Sequence, residues 1–223
     1  MNTVDITAEV FVESMLRHVP FDGWSEAAMQ VTADDLGMSA SDVDVLFPSG
    51  VIGVIETGLK DIDNRMVDIF MARFDTELAT MPVHIKVREL LLARFELLQP
   101  HKEAVRKLLA FMKQPRHAKL GTSLFFKTLD RVWRAAGDRS TDYNFYTKRA
   151  TLGAVYGATL LAFLDDDTPD MQKTRAFLDR RLKDVANVPK VTKQIRTAAS
   201  VLGKMMKNVA STQNRGAAYK NQP

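Results

Sequence analysis

The chain contains no cysteine among its 223 residues. This absence excludes disulfide bonds, thiolate metal sites and a cysteine nucleophile. Histidine is also scarce: there are four, and none follows an acidic residue by three positions, so the Glu-x-x-His motif of di-iron bundle enzymes is missing. His-Glu-x-x-His, Walker and Gly-x-Gly-x-x-Gly motifs are missing as well. The sequence therefore predicts a protein that is not an enzyme and holds no metal or cofactor.

A hydrophobic run long enough to cross a bilayer is also lacking. The longest stretch without a charged residue is 150–164, which has 15 residues, whereas a transmembrane helix needs about 20. Three acidic residues precede the first base, Arg17, whereas secretory and mitochondrial leaders begin with basic residues. We therefore expect a soluble or peripheral protein without a leader.

Charge is distributed unevenly along the chain. Residues 172–223 hold 12 Lys or Arg and two acids, a net charge of +10, while residues 1–171 hold 19 bases and 25 acids, a net charge of −6. A basic segment attracts phosphate, which means either a nucleic acid or an anionic membrane surface. The function depends on which of the two the segment binds.

Proline and glycine divide a sequence that has helical periodicity and no convincing period-2 alternation. We predict an all-α fold of about nine helices followed by a C-terminal amphipathic helix. The predicted organisation is a helix-turn-helix-like region at 1–60, a helical body at 61–187, a basic amphipathic helix at 188–210 and a disordered tail at 211–223.

Capping residues predict several helix ends. Ser25 is expected to cap the second helix, Ser39 or Ser41 the third, and Ser49 the long fourth helix. Gly37 follows the second helix, at the position where glycine commonly ends one.

A run of three aspartates, at 165–167, precedes Thr168 and Pro169. Such a run can suggest a metal site, but it stands between two predicted helices, just before a helix-starting Thr-Pro pair. We interpret it as a solvated turn.

The first 60 residues resemble the DNA-binding domain of TetR-family regulators. The resemblance is carried by an apolar opening helix, by "GW" before the second helix and by "DDLGMSASDVDVLF" across the turn. It implies, as an alternative function, a transcriptional regulator with an apolar ligand. However, residues 19–58 contain seven acids and no Lys or Arg, and Asp42 and Asp44 lie on the candidate recognition helix. Because carboxylates repel DNA phosphates, we expect no binding to nucleic acid.

The helix around residues 150–161 is unusually apolar and has two interior glycines, Gly153 and Gly157, one turn apart. A glycine inside a helix costs about 1 kcal/mol relative to alanine. One interpretation is close packing of two helices, and the other is space for a long apolar ligand between them. The predicted lipid-binding residues, on this helix and the preceding one, are Leu124, Phe125, Leu129, Val132, Trp133, Leu152, Gly153, Tyr156, Gly157 and Leu160.

Aromatic residues and arginine share one face at the start of the same helix. Asp142, Phe145, Tyr146 and Arg149 are spaced at i, i+3, i+4 and i+7. Aromatics mixed with arginine are typical of protein–protein interfaces, so we predict a partner-binding surface. The alternative is that one or two of the rings belong to the core.

From Pro189 onward, apolar residues recur at three- and four-residue steps opposite a basic face. A cationic amphipathic helix of this kind is typical of a segment that lies in the membrane interface. It could instead pack on the body, on a second subunit or in the groove of a partner protein. The predicted membrane-binding residues are Lys190, Lys193, Ile195, Arg196, Leu202, Lys204, Met205 and Lys207.

The segment "AGDRSTDYNFYTKRATLGAVYGATLLAFLDDDTPDMQKTRAFLDRRLKDV" resembles the ubiquinone (coenzyme Q) biosynthesis accessory family, and the resemblance covers most of residues 5–187. The resemblance implies a non-enzymatic, homodimeric lipid-binding protein with a TetR-like fold. It also implies that the protein presents demethoxyubiquinone, a polyprenylated quinone intermediate, to its hydroxylase through Asp142, Phe145, Tyr146 and Arg149. A C-terminal amphipathic helix would contact an anionic membrane. Mitochondrial members carry a transit peptide. The acidic start of this chain does not resemble one, so we expect a location in the bacterial cytoplasm, peripheral on the inner membrane.

Liposome flotation with and without residues 189–223 tests the membrane assignment. We expect the full chain to float with anionic vesicles and the truncated chain to stay behind, because each Lys or Arg adds about 1 kcal/mol near an anionic surface. If the truncated chain floats equally well, the membrane role of this segment is wrong.

Overall fold

The computed structural model describes residues 6–138 and 143–186, and within these ranges it contains α-helices and short 3-10 helices but no strand. The predicted all-α class is thereby confirmed. None of the described helices is long and apolar enough to cross a membrane. The predicted amphipathic helix and tail, 188–223, lie outside the described residues. The helices are α1 Ala8–Asp22, α2 Glu26–Leu36, α3 Ala40–Leu46, α4 Val51–Phe74, α5 Val83–Leu98, α6 Lys102–Met112, α7 Ala118–Ala135, α8 Tyr143–Leu164 and α9 Gln172–Ala186, with 3-10 turns at Gln99–His101 and Pro169–Met171.

Helices α1 to α3 form the predicted helix-turn-helix arrangement, and local hydrogen bonds define its ends. The Ser25 side chain accepts a hydrogen bond from the Ala28 amide at 3.2 Å, as expected for an N-cap. Gly37 ends α2 with φ of 65°, in the left-handed region. Ser39 and Asp42 form a reciprocal capping box at the start of α3. These three predicted helix ends are confirmed.

The predicted cap of α4 is wrong: Gly50, not Ser49, precedes the helix, and no side chain caps it. Gly50 has φ of 56°, and a Cβ at this position would lie 2.8 Å from a carboxylate oxygen of Glu26. The chain therefore enters α4 through a conformation that glycine adopts at little cost.

Two apolar clusters make up the core, and the 24-residue helix α4 takes part in both. The first cluster joins α1 to α3 with the start of α4, and in it the rings of Phe11 and Phe47 lie 5.0 Å apart. Trp24 of the "GW" pair fastens this cluster to α6, since its Nε1 donates to the Ala104 carbonyl at 3.0 Å. The second cluster joins the end of α4 with α5, α7, α8 and α9.

Ion pairs attach α9 to α5. Arg88 of α5 donates to Asp179 at 2.5 Å, and Arg175 of α9 donates to Glu96 at 2.9 Å. Glu96 also accepts from Arg73 of α4 at 2.7 Å. The first 15 residues of the basic segment are thus a packed helix of the body, and part of their charge is paired.

The interpretation of the aspartate run as a solvated turn is wrong for Asp166, which is 2% exposed. Its carboxylate accepts hydrogen bonds from the amide and hydroxyl groups of both Thr168 and Thr174, so all four lone-pair positions are used. Burial alone would raise the pKa of Asp166, but these hydrogen bonds outweigh it and hold the pKa well below its usual range. The carboxylate joins the end of α8 to the start of α9. Asp165 and Asp167 are exposed, as predicted.

Replacing Asp166 by asparagine should lower the free energy of unfolding by about 2 kcal/mol, because an amide NH₂ cannot accept from buried donors. The folded pKa lies below the ordinary value of 3.8, so the carboxylate contributes its stability at neutral pH and loses it only as the pH falls below about 4. Urea unfolding of D166N and wild type between pH 7 and pH 3 measures this difference. D167N, at the exposed neighbour, is the matched control, and equal losses in both variants would contradict the assignment.

Candidate functional site

The two glycines of α8 face α7 at different distances. A Cβ at Gly153 would lie 3.1 Å from Leu129 Cδ1 and 3.2 Å from Phe125 Cε1. A Cβ at Gly157 would meet only Phe125 Cζ, at 3.8 Å, an ordinary van der Waals contact. A side chain at Gly153 would therefore require Leu129 and Phe125 to shift by a few tenths of an ångström, whereas Gly157 leaves space for one methyl group beside the Phe125 ring.

Aromatic rings continue from this contact into the core. The ring of Phe125 stacks on Tyr156 at 5.4 Å, Tyr156 lies 5.8 Å from Phe95, and Phe95 lies 5.0 Å from Phe163. Phe125 is partly buried, while the other three rings are buried. These rings form a continuous apolar strip that reaches the protein surface at Phe125.

The predicted lipid-binding residues do not line one open pocket. They pack mainly on one another along the α7–α8 contact, and Leu124 stands apart in the first core cluster. Within the described part of the chain, the Nε1 of Trp133 is buried without a hydrogen-bond partner. In the second cluster Leu129, Val132, Leu152, Tyr156 and Leu160 are buried, and Phe125 and Trp133 pack at its edge.

A buried polar network next to the aromatic strip was not predicted from the sequence. Arg94 of α5 is 2% exposed; its Nε donates to the Tyr156 hydroxyl at 2.9 Å, and its guanidinium pairs with Asp63 of α4. The other oxygen of Asp63 accepts from the Thr128 hydroxyl at 3.0 Å. Burial raises the pKa of Asp63, while Arg94 and Thr128 oppose that shift.

Both partners of this pair leave a weak signal in the sequence. Arg94 interrupts the apolar run 90–95, and Asp63 lies beside Ile62 and Met66 on the apolar side of α4. A charge inside an apolar stripe indicates a buried partner, because an unpaired buried charge is expensive. The sequence does not indicate which residue that partner is.

The described residues of the predicted partner surface differ in exposure. Tyr146 is 59% exposed, and its ring meets the partly buried ring of Phe145 edge-on at 5.1 Å. Arg149 is only 4% exposed, so its side chain does not contribute to a contact surface as predicted. Asp142 lies outside the described residues.

Arg149 instead has a structural role at the start of α8. Its guanidinium donates to Asp130 of α7 at 2.6 and 2.9 Å and to Asp138 at 3.3 Å. It also lies 3.4 Å from the centroid of the Phe145 ring, in a cation–π contact. Arg149 therefore positions Phe145 and ties the start of α8 to α7.

The surface that would read DNA in a helix-turn-helix protein is acidic in this structure. Asp42 and Asp44 of α3 are both exposed. Hydrogen bonds from Ser39 hold the pKa of Asp42 below its ordinary value. Asp42 is therefore ionised at neutral pH, and it would face DNA phosphates with a negative charge.

In the described part of the chain, no three His, Asp or Glu residues lie close enough together to bind a metal ion. Two cavities lie near the residues described above. One cavity, of about 50 Å³, lies among α1, α4, α5 and α6. The other, of about 420 Å³, lies between α4 and α7 and includes Leu124 from the predicted lipid-binding set.

The COQ9 family model matches residues 118–189. The matched segment contains α7, α8 and α9, and with them the glycine-faced helix, the aromatic strip and Tyr146. The resemblance identified in the sequence is thereby confirmed.

Individual relatives agree with this match. The chain is similar to proteins named "Ubiquinone biosynthesis protein COQ9, mitochondrial" from Homo sapiens (27% identical over 206 residues) and Rattus norvegicus (28% identical over 206 residues). The alignments cover 88% of this chain, 63% of the human protein and 64% of the rat protein. The chain thus spans a little under two thirds of the length of these relatives.

The fold is similar to that of a solved TetR transcriptional regulator from Nitrosomonas europaea, with a TM-score of 0.65 at 16% identity. The similarity covers 81% of this chain and 98% of the regulator. The predicted TetR-like fold is therefore confirmed.

The predicted location, in the bacterial cytoplasm and on the inner membrane, is wrong. The human, rat and Drosophila melanogaster relatives are all named as mitochondrial proteins. The prediction depended on the acidic start of the chain. Since the chain spans only 63% of the human relative, its first residues carry no information about a leader.

Proposed function

We propose that this chain is a non-enzymatic, lipid-binding accessory protein of ubiquinone biosynthesis, which presents a polyprenylated quinone intermediate, demethoxyubiquinone, to its hydroxylase. The observation that carries this proposal is the COQ9 match over residues 118–189, because this range contains both the glycine-faced helix α8 and the exposed Tyr146. The names of the relatives, which are ubiquinone biosynthesis proteins, support the pathway.

The isoprenoid tail is proposed to lie along the glycine face of α8. Phe125 is partly buried and covers Gly157 with only ordinary van der Waals contact. Rotation of Phe125 toward solvent would expose an apolar strip that runs along Tyr156 to Phe95. Each buried methylene group of a tail contributes about 0.8 kcal/mol, so a few isoprene units offset the cost of moving one ring.

The hydroxylase is proposed to contact the start of α8 at Tyr146 and Phe145. Large aromatic side chains dominate the energetics of many protein interfaces. The Arg149 guanidinium packs on the face of the Phe145 ring, and it forms ion pairs with Asp130 and Asp138. Because this surface is fixed before binding, little side-chain freedom is lost when a partner docks.

The basic segment is proposed to bring the protein to an anionic membrane. After Ala186 the sequence contains seven Lys or Arg and no acid. The flotation experiment described above tests this part of the proposal separately from the two others.

Substitution of Gly157 tests the lipid site. G157L places a branched side chain where the Phe125 ring lies, fills the strip and should abolish co-purification of isoprenoid quinone, measured by native mass spectrometry and lipid extraction. G157A is the matched control: its Cβ has ordinary contact with Phe125, and alanine improves helix stability by up to about 1 kcal/mol, so this variant should retain the lipid. Thermal unfolding confirms that both variants are folded. Absence of any isoprenoid lipid from the wild type would contradict the proposal.

Substitution of Tyr146 tests the partner surface. We expect Y146A to weaken binding to demethoxyubiquinone hydroxylase by at least about tenfold, since the loss of a central aromatic contact costs about 2 kcal/mol or more. Surface plasmon resonance with the purified hydroxylase measures the affinity. L161A is the control, because Leu161 is 61% exposed on the same helix but lies about 22 Å further along its axis. Equal affinities of the two variants would place the interface elsewhere.

A further inference from the structure

The cavity of about 420 Å³ between α4 and α7 is lined by apolar, polar, acidic and basic residues. The proposed function does not involve this cavity. One face of each helix lines the cavity. On α7 the lining residues recur at steps of three and four, and on α4 three neighbouring pairs recur at the same steps. The lining residues are Glu56, Thr57, Leu59, Lys60, Asp63 and Asn64 of α4 and Leu124, Lys127 and Arg131 of α7.

Two cations of the lining have no carboxylate partner. In the described part of the chain, neither Lys60 nor Arg131 lies within 4.0 Å of a carboxylate oxygen. Arg131 donates one hydrogen bond, to the Asn64 side chain at 3.2 Å. The third cation, Lys127, has only a loose pairing with Glu56 at 3.7 Å, and both groups are largely exposed.

Of the two acidic residues in the lining, Glu56 and Asp63, the buried Asp63 is already paired. Asp63 is buried, pairs with Arg94 and accepts from Thr128. A ligand in the cavity therefore meets the positive charges of Lys60 and Arg131 without strong repulsion from Asp63. A buried ion pair contributes little net stability compared with apolar residues. The position of the Asp63–Arg94 pair next to this cavity therefore favours a role in defining the cavity.

Leu59 and Leu124 supply the apolar part of the lining, and Leu124 belongs to the first core cluster. The volume lies within the range of about 300–1,000 Å³ that small-molecule sites occupy. The cavity therefore suits a molecule with one apolar and one anionic part.

We infer that this cavity binds an amphipathic phosphate ester, with the phosphate between Lys60 and Arg131 and the apolar part against Leu59 and Leu124. A phosphate monoester has nearly two negative charges at neutral pH, which matches two unpaired cations, and the planar arginine fork can bind two of its oxygens at once. The inference does not rest on the proposed function, because the quinone intermediate has no phosphate and its proposed site lies on the neighbouring face of α7.

Isothermal titration of the full chain with three probes tests this inference. Octyl phosphate should bind at least about tenfold more tightly than inorganic phosphate, which lacks the apolar part, and than octyl glucoside, which lacks the charge. The affinity should fall as salt is raised, because both cations are exposed and screened. If inorganic phosphate binds as tightly as octyl phosphate, the site takes free phosphate and the amphipathic assignment is wrong.

Charge-removing variants locate the site. K60Q and R131Q should each weaken octyl phosphate binding by about tenfold, the effect of losing one charge-assisted contact. K119Q is the matched control, because Lys119 is exposed on α7 and does not line the cavity. All three side chains are at the surface, and circular dichroism confirms that the variants are folded. If K60Q and R131Q bind as tightly as K119Q, the inference is overturned. The lipid experiment at Gly157 uses a residue outside this cavity, so either proposal can fail alone.

Discussion

One buried arginine joins four helices of the body. Arg94 on α5 contacts Asp63 on α4 and Tyr156 on α8, and Asp63 in turn accepts from Thr128 on α7. Removal of one member of a buried ion pair costs about 3–5 kcal/mol, because the other charge stays buried without a partner. The relative register of α4, α5, α7 and α8 therefore depends on this network, and apolar packing alone, which has no direction, would leave it less defined.

The same network positions one residue of each proposed site. It fixes the Tyr156 hydroxyl, and with it the ring on which Phe125 stacks at the glycine face of α8. It also fixes Asp63 in the lining of the α4–α7 cavity. The two proposed sites lie on neighbouring faces of α7, and the groups proposed to contact a ligand, Phe125 and Lys60, are at or near the surface. Buried hydrogen bonds and ion pairs behind a site help to hold its residues in place before a ligand binds.

Features that depend on neighbouring residues could be predicted from the sequence, and features that depend on distant residues could not. Ser25 and Gly37 mark their helix ends through contacts three or four residues away. A side chain at Gly50 would meet Glu26 from another helix, and two of the four donors to the buried Asp166 come from Thr174, in the next helix. The glycine spacing of α8 left open either close helix packing or space for an apolar ligand, and it did not indicate that Leu129 and Phe125 lie against Gly153.

The positions of the helices show which charges of the basic segment belong to the body of the protein. The basic segment counted from residue 172 begins with α9, where Arg175 and Asp179 pair with α5 and belong to the body. The bases available to a membrane are those after Ala186, where no acid accompanies them. At the other end of the chain, Asp42 and Asp44 are exposed on α3. An anionic membrane repels these carboxylates for the same reason that DNA phosphate does. The proposed membrane binding therefore favours an orientation with α3 directed away from the membrane, which would leave the helix-turn-helix surface facing the aqueous phase.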